Sequence, residues 1–202
     1  MGVARRAARW LFHAGARKVL DVGAGVGKFC VVGALTTPLR FEGIEQRPYL
    51  VDAACRLAAS FDVATRATFL RGDFTAAADS DYDALYFYNP FEENVLAQRD
   101  QLDHSVELSE ARFRRDLAAA EQLLARVAVG TWMVTYHCFG GSVPDSFELV
   151  QARPAGQHML RLWRKARSET QGGTWIERQD STSLRGAKAL HAVPRWDRAS
   201  KR

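Results

Sequence analysis

Cysteine is scarce in this chain: three residues among 202, at positions 30, 55 and 138, odd in number and without Cys-x-x-Cys spacing. That scarcity excludes a disulfide framework and a thiolate zinc cage. Cys30, Cys55 and Cys138 are therefore expected as buried, reduced thiols. Long apolar runs are also missing, since none approaches the roughly 20 residues needed to span a bilayer. The opening "MGVARRAARW" has no apolar segment of the kind a signal peptide carries, and Arg6 stands where a myristoylation signal would have a hydroxyl residue. A cytoplasmic protein with no membrane partner is the expectation. Histidine is sparse as well. His104, in "DHSVELS", has acids on either side but no second histidine at ligand spacing, so no metal is expected.

The net charge of +5 suggests nucleic acid until its location is considered. From Arg164 to Arg202 there are ten basic and four acidic residues, which leaves the rest of the chain close to neutral. Residues 166–202 read as a basic, flexible C-terminal tail, poor in aliphatics and without sustained period. Such a tail contacts RNA or an acidic partner, or simply faces water.

What is present is one domain, residues 1–165, with 47% hydrophobic residues over the whole chain, enough for an ordinary core. Apolar runs of strand length alternate with helical periods. "KVLDVG" precedes "GKFCVVGAL", and "RFEGIEQ" precedes "YLVDAACRLAASF", where Leu50, Ala54, Leu57 and Ala58 share a face. "ATFLRGDF", "YDALYFYNPF" and "GTWMVTYHCFGG" supply further strands. Between the last two lies "SEARFRRDLAAAEQLLARV", a helix capped at Ser109 with a stripe through Phe113, Leu117, Ala120 and Leu124. An opening helix, "VARRAARWLFHAG", turns Val3, Ala7, Trp10, Leu11 and Ala14 inward. The final runs, around "RPAG", read as a β-hairpin. The fold class is α/β: a mostly parallel seven-stranded sheet with helices on both faces and a C-terminal antiparallel hairpin.

The stretch "DVGAGVGKF" invites three readings. A phosphate loop requires Gly, four spacers and Gly-Lys-Ser/Thr; Val22 occupies the first glycine position and Phe29 the hydroxyl position. A dinucleotide turn fits Gly23 and Gly25, but its third glycine falls on Lys28. What remains is Asp21-x-Gly23-x-Gly25-x-Gly27. An aspartate here is a poor neighbour for a pyrophosphate and a good one for a cationic ligand. Two more acids, Glu45 and Asp73, stand at strand carboxyl ends, where open α/β sheets bind their ligands. Glu45 by itself does not discriminate, because an acid after the second strand also contacts ribose in NAD-binding folds.

In these motifs the chain, from Val3 to Lys165, resembles the class I methyltransferases that use S-adenosylmethionine. The resemblance implies that Gly23, Gly25 and Gly27 let the backbone approach the methionine part of the cofactor, with Asp21 near its amino group. It implies that Glu45 accepts hydrogen bonds from the ribose hydroxyls. Asp73 would accept from the adenine amine, and the backbone of Phe74 would lie near the ring edge.

After the fourth strand, "YNPF" resembles the Asn/Asp-Pro-Pro-Tyr/Phe motif of amino-group methyltransferases, with one proline where the family has two. Single-proline versions occur in bacterial members. The motif implies that Asn89, Pro90 and Phe91 are catalytic: carbonyl acceptors orient a nitrogen lone pair while the aromatic ring stacks on a planar acceptor. A turn role for Asn89 is the competing reading. His137, at the end of the fifth strand, is either a base near the acceptor or a structural histidine. The expected function is methyl transfer from S-adenosylmethionine to a nitrogen on a small molecule, a protein or a nucleic acid. The alternative is a non-catalytic protein of the same fold that binds S-adenosylmethionine or another nucleoside.

Overall fold

A computed structural model describes residues 2–77 and 81–168. The expectation of a flexible tail lies outside the described residues from position 169 onward. Seven strands form one sheet in the order β3-β2-β1-β4-β5-β7-β6. They are β1 (Lys18–Val22), β2 (Arg40–Glu45), β3 (Ala67–Arg71), β4 (Ala84–Tyr88), β5 (Trp132–Tyr136), β6 (Phe147–Ala155) and β7 (His158–Lys165). β1 to β5 pair in parallel; β7 runs antiparallel to β5, and β6 antiparallel to β7. Strand order reverses between β1 and β4, and a crevice opens at the carboxyl ends beside such a reversal.

The central strands are apolar on both faces because both are covered. In β1, Val19, Leu20 and Val22 are buried, and in β4 so are Ala84, Leu85, Tyr86 and Phe87. On one face α1 (Gly2–His13), α2 (Lys28–Thr36) and α3 (Pro48–Ser60) close a core that includes Leu11, Val19, Cys30, Phe41, Ala58 and Leu160. Within it Phe29 stacks on Tyr86, with ring centroids 3.7 Å apart and planes 11° from parallel. On the other face α4 (Glu110–Arg126) packs Leu123 and Leu124 with Leu20, Leu85, Phe87 and Met133. α1 buries Ala7, Ala8 and Leu11, with Val3 and Trp10 half-buried against the same core.

α4 starts where its cap residue stands. The Ser109 hydroxyl accepts from the Arg112 amide at 3.0 Å, a contact worth about 1 kcal/mol. Its far end is held by Lys165, whose buried ammonium donates to the Leu124 and Ala125 carbonyls at 2.9 and 2.7 Å. That places a cation on the negative end of the helix dipole and fastens β7 to α4.

Two expectations need correction. The hairpin stands, but its turn is Gly156–Gln157, so only the last residue of "RPAG" turns; Arg153 and Pro154 stay in β6, opposite Leu160 and Met159. β6 is an edge strand, so a residue without an N–H is tolerated there. Of the cysteines only Cys30 is buried; Cys55, on the outer face of α3, and Cys138, in the turn after β5, are exposed. Among the described residues no helix is long and apolar enough to cross a membrane.

Candidate functional site

A cleft of about 360 Å³ opens at the carboxyl ends of β1, β2 and β4, within the size range of small-molecule pockets. Gly23, Gly25, Glu45, Phe74, Asn89, Pro90 and Phe91 all line it. Asp21, Gly27 and Asp73 do not, and each is engaged elsewhere.

The turn after β1 is tied to β2, because Gly23 and Ala24 both donate to the Ile44 carbonyl. Gly23 has φ +74°, and a Cβ on it would lie 2.8 Å from that of Pro90. Only glycine lets the tips of β1 and β4 approach so closely. Gly27, at φ +75°, precedes α2; a Cβ there would sit 2.5 Å from the Phe69 ring. Its role is to seat α2 against β3 rather than to face a ligand.

Glu45 is held by backbone. One carboxylate oxygen accepts from Gly25 N and the other from Arg47 N, each at 3.0 Å. A carboxylate offers about four acceptor sites, so each oxygen keeps one lone pair for a ligand. Asp21 lies beneath the turn, 3% exposed, accepting from the Cys30 thiol at 3.4 Å. Burial pushes its pKa up to about 7; the Cys30 hydrogen bond opposes the rise and the charge of Glu45 adds to it.

The Asp73 carboxylate is taken up by the protein. Oδ1 accepts from the amide and hydroxyl of Thr75, and Oδ2 from Arg112 at 2.8 Å. Arg112 also grips Asp116 through Nε at 2.7 and 2.8 Å. Burial raises the Asp116 pKa, against the opposing pull of Arg112. Sequence reading missed this pair, although its i,i+4 spacing at the start of α4 was a legible signal. The Phe74 and Phe91 rings meet at 5.4 Å and form an aromatic wall of the cleft.

Residues 91–108 make the roof. Arg47, 8% exposed at its side chain, bridges Glu93 at 2.9 Å and Asp103 at 3.1 Å, and Tyr49 donates to Asp103. The Ser105 and Tyr49 hydroxyls hold the Asp103 carboxyl well below the usual carboxylate range. Asn94 lies within the roof, its Nδ2 on the Phe91 carbonyl and its buried Oδ1 without a donor among the described residues. None of these roof residues has a periodic signature, and the sequence drew notice to Asp103 only as an acid beside His104.

At the mouth Asn89 sits at φ +44°, followed across the sheet by His137 at +57° and Cys138 at +50°. The Asn89 amide N–H donates to the Cys138 carbonyl at 3.0 Å, closing the ends of β4 and β5 together. Asn89 Nδ2 contacts Glu92 Oε2 and lies 3.2 Å from His137 Nδ1. Nothing among the described residues donates to Asn89 Oδ1.

No protein-family model and no curated protein sequence matches the chain. Solved structures do match in shape. An RNA methyltransferase from Salinibacter ruber, solved with S-adenosyl-L-homocysteine, superposes with a TM-score of 0.58 at 19% identity, covering 82% of this chain and 93% of its own. An O-methyltransferase family protein from Burkholderia thailandensis gives 0.57 at 14%, over 83% of this chain and 56% of its own. A point mutant of MtNAS in complex with S-adenosylmethionine gives 0.53 at 13%, over 79% and 60%. What the chain shares with these proteins is the fold: a seven-stranded, Rossmann-like α/β sheet with its hairpin at one edge.

Proposed function

We propose that the cleft binds S-adenosylmethionine and that the protein is a methyltransferase acting on a nitrogen nucleophile. The observation that carries the reading is Glu45: fixed by two backbone N–H groups at the end of β2, it keeps one free lone pair on each oxygen. That is the acceptor set two vicinal ribose hydroxyls require. The glycine turn fits the same ligand, since a Cβ on Gly25 would meet nothing within 4 Å, leaving room beside its backbone. When bound, S-adenosylmethionine supplies an electrophilic methyl group on a sulfonium.

The chain's own residues do the rest. Asn89 Oδ1 accepts an N–H of the acceptor and aims the nitrogen lone pair; the expected stacking of Phe91 on a planar acceptor is given no part in this reading, because its ring is 4% exposed and packed against Phe74 in the core. Asp73 is given no contact with adenine in this reading, because Thr75 and Arg112 occupy it. Fixing two reactants in line supplies much of the rate when the chemistry is a single displacement. The basic stretch beyond Lys165 and the RNA methyltransferase likeness favour testing nucleic acid first.

The test is incubation of the protein and methyl-labelled S-adenosylmethionine with cell lysate separated into metabolites, protein and RNA. Label in one fraction, at a nitrogen, supports the reading and names the acceptor class. Cofactor binding without transfer to any fraction would make the protein a binder. Label on oxygen or carbon would remove the nitrogen assignment.

A further inference from the structure

Among the described residues, three of the four non-glycine residues with positive φ, Asn89, His137 and Cys138, meet at one place, the junction of β4 and β5 beside the cleft. Left-handed backbone costs energy outside glycine and persists where surrounding contacts enforce it. The contacts here are specific. The Glu92 carboxylate only accepts hydrogen bonds, so the Asn89 side-chain atom against it is the amide nitrogen. The same nitrogen lies 3.2 Å from His137 Nδ1. Both its hydrogens are then used, and His137 Nδ1 must be a lone pair with the ring proton on Nε2. The Asn89 oxygen has no partner among the described residues, and Asn89 lines the cleft.

We infer that Glu92 and His137 are positioning residues, a two-point clamp that holds the Asn89 carbonyl toward the methyl acceptor only while His137 is neutral. The inference rests on the role proposed above for Asn89. A proton on Nδ1 would set N–H against N–H. The amide cannot simply turn over, because its oxygen would then face the Glu92 carboxylate. Either the His137 ring leaves or Asn89 loses its aim.

The surroundings keep the ring in place. His158, first residue of β7, stacks on His137 with centroids 3.7 Å apart. Tyr136 meets His158 edge-on, and Tyr88 of β4 meets Tyr136. Burial holds the His158 pKa down, the nearby His137 adds to this, and Glu92 opposes both. The hairpin thus contributes to the site through His158, which stacks directly on His137; Glu92 reaches the ring through Asn89, and Tyr136 and Tyr88 continue the row of rings behind His158. The clamp selects an acceptor that offers an N–H and disfavours one that offers only a lone pair.

Nitrogen-15 NMR of the full chain tests the clamp without any acceptor. The expected result is a neutral His137 ring that carries its proton on Nε2, with the Asn89 side-chain amide signals shifting together with His137 titration. An Nδ1-protonated ring, or Asn89 signals indifferent to that titration, overturns the inference whatever the protein methylates. With the acceptor found by labelling, His137→Phe and Glu92→Ala should each slow single-turnover transfer about tenfold. Their affinity for S-adenosylmethionine should not change. His137→Asn tolerates positive φ and can present an oxygen near the Nδ1 position; it should recover most of the rate. Unchanged transfer in a folded His137→Phe protein, or in Glu92→Ala, whose exposed site is safe for folding, also overturns it. A correct ring tautomer in a protein that methylates nothing would sink the proposed function and leave the clamp as structure alone.

Discussion

The two sides of the cleft solve the same backbone problem by opposite means. On the β1 side the chain turns through positive φ at Gly23, Gly25 and Gly27, where the conformation is free of strain. On the β4–β5 side it does so at Asn89, His137 and Cys138, which all carry a Cβ. The β1 side therefore depends on space: glycines let backbone pack against Pro90 and Phe69. The other side depends on side chains, and its conformation is enforced by Glu92, His158 and the Cys138 carbonyl. A surface that must admit a ligand to its backbone is built of glycine. A surface that must aim a functional group accepts strain to hold it.

The largest effect expected from this contrast is a pH dependence on the glycine side. The folded-state pKa of Asp21, about 7, lies above the unfolded value near 3.8. The folded protein thus keeps a proton that the unfolded chain has lost, and this contribution is full below about pH 4 and gone above about pH 7. Stability should fall by up to about 3 kcal/mol between about pH 5 and pH 8. Asp21→Asn should flatten that slope, as urea unfolding across this range would reveal; equal slopes in both proteins would mean that Asp21 ionises normally.

A matched pair of substitutions breaks the comparison more directly. Gly27→Ala adds a methyl into the Phe69 ring at positive φ and should cost about 3 kcal/mol in urea unfolding. Asn89→Gly relieves strain and should leave stability within about 1 kcal/mol of the parent, while methyl transfer falls roughly a hundredfold through lost orientation. A destabilised Asn89→Gly protein with full transfer would return Asn89 to a turn residue. The smallest effect concerns the chain end. Ala166 N donates to Ser146 O and Arg167 donates to Asp145 O, so the cut belongs after Ser168 rather than at Lys165. That truncation should change the melting temperature by no more than a degree or two. A substantial loss would show that residues 169–202 dock on the domain.

The sheet was legible because its signals are local. "KVLDV" and "ALYFY" are apolar on both faces only in a covered parallel sheet, and Ser109 caps a helix from its own sequence neighbourhood. Glu45 was legible for the same reason, standing at the end of such a strand. The destination of a charged side chain is not local. Nothing near Asp73 in sequence announces Arg112, and Arg47 finds Asp103 only because the roof folds back over β2. The hairpin turn was misplaced because "RPAG" has turn composition, and only edge position explains a proline kept inside β6. The clamp on Asn89 needed two strand ends and a hairpin brought together.

Calorimetric titration of S-adenosylmethionine into the parent protein and a folded Glu45→Ala variant tests the central claim most directly. Two hydrogen bonds to a fixed carboxylate predict saturable, one-to-one binding by the parent and affinity lower by about tenfold or more in the variant. Equal affinity for the two proteins, or no binding by the parent, would contradict the account.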